Sequence, residues 1–363
     1  MPVRELVVVI SDLFLDASDV DSAARASRVL PGLEQLARFG HACATQEGWR
    51  AWLARWLGRG DLATVAPAAI AAAMPCDGDT SDTAGTRDAS MHGGSLWFAT
   101  PVHLIASLTS LHLDYRGLLR LPPDVLKRLA QDFARVFEGS GFHLEPTSSD
   151  LFILRSRGAI NARTTEPARA VAGELGASQP VGADAGVLKR LNGELEMWLW
   201  GGGPPLQLPS AASDPASPGP SRAHPDFPAR VDSLAAPGSL LSSNVIFASD
   251  PYVVGLCHLA GIPCRSVPER LPDLSGFPGA QRIAVVAALA PLLQANPPWT
   301  MFEALAEVDR RYIVSALSEL RRGTLDRVVL VANDAQLRIE RRDRLKFWRR
   351  PKSGIAALRS LSE

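Results

Sequence analysis

The chain has 363 residues, of which 46% are hydrophobic and 21% charged, enough to bury one large α/β domain or more than one domain. Lys and Arg number 38, and so do Asp and Glu. The formal net charge is therefore zero, and no global field draws in nucleic acid or an acidic membrane. The opening MPVRELVVVISDLFLDASD carries only a short apolar run, interrupted by Asp12 and Asp16. That is unlike a secretory signal and far too short to span a bilayer. The four cysteines, Cys43, Cys76, Cys257 and Cys264, show no CxxC and no metal spacing with histidine. They read as reduced, mostly buried thiols rather than a disulfide framework. The expected compartment is the cytoplasm, with no membrane partner.

In chain order, Leu6 to Ile10 is a continuous apolar, β-branched run ending at Ser11-Asp12, the pattern of a parallel strand buried on both faces. Pro31 to Phe39 has helical periodicity, with Pro31 suited to a first turn. Trp49, Trp52, Leu53 and Trp56 follow at helical spacing, as a core or interface stripe or, alternatively, a stacking surface for a cofactor. The Ala-rich stretch 62–73 predicts another short helix, and the polar, Gly-rich stretch 76–94 a loop. Leu96 to Phe98 and the alternating Leu111, Leu113 and Tyr115 read as strands. Pro122-Pro123-Asp124 opens an amphipathic helix through Phe137, and short strands are expected at Phe142 to Glu145 and Leu151 to Arg155.

Met197 to Trp200 reads as a short apolar strand stopped by Gly201-Gly202-Gly203. The Pro/Ser-rich segment 209–240 reads as a linker. The α/β rhythm then resumes. Strands are expected at Val245 to Ala248, Cys264 to Val267 and Leu325 to Ala332. Helices are expected at Tyr252 to Ala260, Gln281 to Leu293 and Met301 to Arg322, with Gly261 and Gly323 as stops. The expected fold is α/β, a mostly parallel sheet flanked by helices with a smaller α+β block inserted. Its divisions are 1–75 and 241–334 for the core, 76–94 for the loop, 95–195 for the cap-like block and 196–208 for the return to the core. A linker at 209–240 and a basic hairpin and tail at 335–363 complete them.

In open parallel sheets the carboxyl ends of the strands carry the chemistry. Two strands here end in aspartate, VVVISD at Asp12 and VVLVAND at Asp334. Such a pair suits a hard divalent cation. Equally, each aspartate can cap the backbone that follows its strand.

Four segments bear on this choice: the first strand ending in Asp12, MWLWGGG (197–203), ALAEVDRRYIVSAL (304–317) and LDRVVLVAND (325–334). Together they resemble the archaeal-type, cofactor-independent phosphoglycerate mutases of the alkaline-phosphatase superfamily. TPVHLIASLTSLHLDY (100–115) and RLKFWRRP (344–351) resemble a bacterial subgroup that includes regulators of pathogenicity factors. The resemblance implies an alkaline-phosphatase-like sheet and a two-metal phosphotransferase, with Asp and His ligands, a serine nucleophile, and Mg or Mn as the metal if active. Asp12 matches the first aspartate and Asp334 the aspartate of a late Asp-His pair, but Ala335 stands where the histidine belongs. No histidine follows His258, and Ser81, Ser90 and Ser95 lie in no recognisable nucleophile motif. Two aspartates can hold one Mg²⁺ weakly and cannot position two metals. The implied reading is a catalytically degenerate member with a regulatory or binding role toward a protein or a small phosphorylated ligand. The alternative is an active mutase or phosphatase with an unusual ligand set.

The remaining motifs are weaker. His103 and His112 can be metal ligands or hydrogen-bonded structural residues, and His41 and His258 sit near expected helix ends. No GxSxG supports a Ser-His-Asp triad. Gly201 to Gly203 lacks the Lys-Ser/Thr of a phosphate loop and reads as a tight strand exit. The end of the chain carries Arg338, Arg341, Arg342, Arg344, Lys346, Arg349 and Arg350 among Leu337, Ile339, Leu345 and Phe347. That pattern reads as a charged edge hairpin rather than a nucleic-acid surface.

Overall fold

The computed structural model describes residues 4–13, 30–45, 48–73, 94–106, 111–119, 121–147, 151–167, 170, 178–201, 244–271, 274–277, 280–294, 299–332 and 335–345. The first stretch contains β1 (Glu5–Ile10), α1 (Pro31–Phe39), β2 (His41–Ala44), α2 (Gly48–Trp56) and α3 (Pro67–Ala71). The middle contains β3 (Leu96–Ala99), β4 (Val102–Ala106), β5 (Leu111–Leu118), α4 (Pro123–Val136), β6 (Phe142–Pro146), β7 (Phe152–Ser156) and α5 (Ala185–Trp200). The last part contains β8 (Asn244–Phe247), α6 (Pro251–Ala260), β9 (Cys264–Arg265), β10 (Arg282–Ala287) and α7 (Ala290–Leu293). It continues through α8 (Met301–Val308), a π-helical turn at Asp309–Ile313, α9 (Val314–Arg322), β11 (Arg327–Ala332) and β12 (Ala335–Glu340). Among the described residues no helix is long and apolar enough to cross a membrane.

A seven-stranded sheet in the order β2-β12-β11-β1-β10-β8-β9 forms the core. β11, β1, β10, β8 and β9 run parallel, while β12 and β2 are antiparallel additions at one side. Strand alternation divides the buried side chains between two layers. Leu6, Val8 and Ile10 face the layer that contains α1, α8 and α9. Val7 and Val9 face the layer of α2 and α6, with Trp49, Leu53, Tyr252 and Leu256. β10 and β11 divide the same way, which is why all three strands read as unbroken apolar runs. Each fully buried Val, Ile or Leu contributes about 1.5–3 kcal/mol relative to exposure.

β3, β7 and β6 form a separate three-stranded antiparallel sheet. It packs on α4 and α5 through Phe133, Phe142, Leu154, Leu188 and Leu191.

Several expectations need correction. Gln281 to Leu293 is not a helix. Arg282–Ala287 is the β10 strand, between β1 and β8, and only Ala290–Leu293 is helical. An apolar run buried on both faces has no periodicity to tell strand from helix. Met197 to Trp200 is not a strand but the last turn of α5. The spacing of Leu188, Leu191, Leu195 and Trp198 is helical, and these are the residues that pack inward, while Trp200 is 95% exposed. The strand after Gly261 is only Cys264–Arg265. Leu337 and Ile339 lie on β12, which is enclosed between β11 and β2 and is therefore not an edge strand; a 3₁₀ turn follows it, and the rest of the expected basic hairpin and tail, from 346 on, lies outside the described residues. β2 itself is an exposed edge strand made of His41 to Ala44; His41 stands directly after the Gly40 cap of α1, near a helix end as expected, whereas Cys43 is not buried. HACA offers no β-branched residue to announce it.

Candidate functional site

β1, β8 and β10 end at one edge of the sheet, and a cavity of about 1090 Å³ opens there. Ser11 and Asp12 follow β1, Ser249 and Asp250 follow β8, and Ala288 follows β10. This is the carboxyl edge, where open parallel sheets place their ligand sites. The facing wall comes from Arg50 on α2, the start of β3 with Trp97 and Phe98, and the stretch around Arg163 to Glu166.

Asp12 is 8% exposed. Its Oδ1 accepts the Leu289 amide at 2.7 Å and its Oδ2 the Ala290 amide at 2.8 Å. Both oxygens thus cap the first turn of α7, across the sheet from β1. Burial pushes its pKa up to about 6, against the opposing pull of those two amides and with the negative charge of Glu166 adding to the rise. Asp250 caps α6. Its Oδ1 accepts from Tyr252 N at 2.9 Å and Val253 N at 3.3 Å, with Pro251 in the first turn. Its Oδ2 lies 3.6 Å from the Arg50 guanidinium. Burial raises the Asp250 carboxyl above its ordinary range, and Arg50 offsets part of that rise.

Arg50 joins the two walls. Its guanidinium donates to both Glu166 oxygens, at 3.1 and 2.9 Å. It also lies over the Trp49 and Tyr252 rings, at 4.5 and 5.8 Å from their centroids. The Tyr252 hydroxyl donates to the Arg50 carbonyl at 2.8 Å. The Arg50 and Glu166 side chains keep 21% and 31% of their exposure. Solvent screening therefore holds the net worth of the pair to about 1 kcal/mol. It is a contact that a competing anion can open.

Of the two aspartates expected as metal ligands, Asp12 is at the cavity edge, while Asp334 lies outside the described residues. A cation at Asp12 would compete with two short amide hydrogen bonds. Among the described residues no group of three or more His, Cys, Asp or Glu is arranged to hold a metal ion. These residues do not fit a two-metal centre. Ser95 lines the cavity, but its hydroxyl ties down Ile160, accepting from the amide at 2.9 Å and donating to the carbonyl at 3.2 Å. Ser81, Ser90 and Cys76 lie outside the described residues. His103 is exposed on β4, and His258 is in the last turn of α6. Gly201 follows α5, and Gly202 and Gly203 lie outside the described residues.

In the described part of the basic end, three guanidiniums share one carboxylate. Arg338 pairs with Glu340, Arg342 Nε lies 3.0 Å from Glu340, and Arg327 reaches Glu340 at 3.2 Å. Arg341 stands beside Gly323. The side chains of Arg344, Lys346, Arg349 and Arg350 lie outside the description.

Sequence reading did not single out Arg50, Glu166 or Asp250. Asp250-Pro251 ahead of an apolar helix is a legible cap signal. Arg50 and Glu166 are 116 residues apart and carry no local signal.

The raised Asp12 pKa has a pH signature. A carboxyl that is more basic folded than unfolded contributes stability that is complete below about 4 and lost as pH rises through about 6. Wild type should therefore lose stability relative to Asp12→Asn between pH 4 and 7, by on the order of 2 kcal/mol. Urea unfolding of both proteins across that range is the check. Parallel stability curves would contradict it.

No protein-family model matches the chain, and no curated protein matches it. Among solved structures it is similar to a cofactor-independent phosphoglycerate mutase from Thermoplasma acidophilum DSM 1728. The identity is 11% and the TM-score 0.34, over 93% of this chain and 90% of that one.

Proposed function

We propose that this chain is a catalytically degenerate, phosphoglycerate mutase-like protein that works by binding a small phosphorylated ligand in the cavity at the carboxyl edge of its sheet. One observation carries the reading: the carboxylates at that edge are committed to the protein's own backbone. Asp12 spends both oxygens on Leu289 and Ala290, and Asp250 spends its own on α6 and Arg50. Groups held this way support a binding wall better than a metal pair, which needs several ligands free to converge. Arg50 and Arg163 supply positive charge to the cavity, and guanidinium suits phosphate. The 95–195 block acts as a cap over the site, and the resemblance of the four quoted segments supplies the family.

The test is incubation of the purified chain with 3-phosphoglycerate and Mn²⁺. The expected result is a rise in unfolding temperature with 3-phosphoglycerate that does not depend on Mn²⁺ and shrinks in Arg50→Ala. No phosphoserine and no 2-phosphoglycerate should form. Turnover, or a stoichiometric pair of bound divalent ions, would establish the alternative of an active metal-dependent phosphomutase drawing on Asp12 and Asp334.

A further inference from the structure

Cys257 and Cys264 are brought together by the end of α6. Gly261 closes the helix in the left-handed region (φ 64°), and the Ile262 amide donates back to the Cys257 carbonyl at 2.9 Å. The reversal delivers the chain into β9, where Cys264 pairs with Ile246. Cys264 therefore packs on the same apolar cluster that holds Cys257, and each thiol shifts the titration of the other. Their exposures differ. Cys257 is 1% exposed, whereas Cys264 is partly open to solvent. Nothing in the cavity chemistry uses either thiol.

We propose that Cys257 and Cys264 form a redox-active dithiol, with Cys264 as the attacking sulfur and Cys257 as the resolving one, and that hydroperoxides convert the pair to an intrachain disulfide. Access and electrostatics agree on the roles. The interaction between the thiols lowers the pKa of Cys264, the more accessible member, and raises that of Cys257, which burial raises further. Thiolate character combined with exposure selects the sulfur that reacts first. In the first step the Cys264 thiolate attacks the peroxide oxygen. An S–O bond forms, the O–O bond breaks, and hydroxide or alkoxide leaves, so sulfur is oxidised to sulfenic acid and the peroxide is reduced. In the second step the Cys257 sulfur attacks the Cys264 sulfur. An S–S bond forms, the S–O bond breaks, and the Cys257 proton leaves with the hydroxyl as water.

The modification bears on the cavity wall. The Cys264 sulfur is 3.8 Å from the Ala248 carbonyl, to which its thiol donates. Ala248 directly precedes Ser249 and Asp250, which line the cavity. A disulfide removes that donor from the segment leading to the α6 cap.

The experiment uses the full chain carrying Cys43→Ser and Cys76→Ser, which leaves only the pair. It is treated with hydrogen peroxide, alkylated without reduction and digested with trypsin. Both cysteines fall in one tryptic fragment, 231–265. The expected result is a fragment that takes up no alkylating agent until it is reduced and then takes up two equivalents. A further Cys257→Ser change should stop the reaction at a dimedone-reactive sulfenic acid on Cys264. A further Cys264→Ser change should leave Cys257 unreactive. Recovery of the fragment with both thiols alkylated after peroxide would overturn the proposal. So would a dimedone adduct on Cys257, or oxidation that appears only as links between chains.

Discussion

Gly255→Ala lowers stability by about 3 kcal/mol, although alanine in a helix interior ordinarily gains about 0.5–1 kcal/mol over glycine. Gly255 lies on the face of α6 that meets α3. A Cβ there would stand 2.1 Å from the Ile70 carbonyl oxygen, 2.8 Å from its carbon and 3.0 Å from the Ala71 Cα. All three are backbone atoms, so no side chain can rotate out of the way. The two helices must separate, and the separation opens a layer that contains Ile70, Tyr252 and Leu256. Gly193 is the internal control. It sits within α5 with no atom within 4 Å of its would-be Cβ, so Gly193→Ala should stabilise by the ordinary increment. Urea unfolding of the two variants beside wild type reads both signs at once. A Gly255→Ala midpoint at or above that of wild type would refute the close approach.

Asp309→Ala costs about 3 kcal/mol or more. Asp309 is 1% exposed in the π-helical turn between α8 and α9. Its oxygens accept the amides of Gly32 at 3.0 Å and Leu33 at 2.7 Å. Removing the carboxylate leaves two buried donors at the start of α1, each worth about 1–3 kcal/mol when unsatisfied. Asp309→Asn keeps one acceptor oxygen and should recover part of the loss. Burial pushes the Asp309 pKa up to about 6. The folded state thus holds this proton more tightly than the unfolded chain, and the group's contribution falls as pH rises through about 6. Asp309→Ala should consequently cost more at pH 5 than at pH 7.5. Hydrogen exchange at Gly32 and Leu33 should accelerate in the alanine variant well beyond that at Val7 and Val8 in the central strand. Equal acceleration at all four amides would mean global destabilisation and would discard the capping role.

Legibility in the sequence followed the periodicity of each element. Val125, Leu126, Leu129 and Phe133 repeat at helical spacing, and α4 is where that pattern puts it. VVVI and VVLV are β-branched and short, and they form neighbouring parallel strands. IAVVAALAPLL is apolar throughout, and only the two flanking strands decide that its first half is extended. MWLW looks like a strand in isolation and becomes helical because Leu188, Leu191 and Leu195 before it set a helical face.

The candidate site divides along the same line. Asp12 at a strand end and Asp250 before Pro251 can be read from local chemistry. Their partners cannot, because Leu289 and Ala290 meet Asp12 across 277 and 278 residues, and Glu166 meets Arg50 across 116. By itself the sequence determined that this is an α/β protein with parallel strands buried on both faces, since strand and helix periods are local properties of the chain. The tertiary structure alone decided that Asp12 holds backbone amides and that Arg50 bridges two walls of a cavity. Hydrogen bonds and ion pairs between distant residues depend on topology, and topology leaves no trace in the local spacing of the residues it joins.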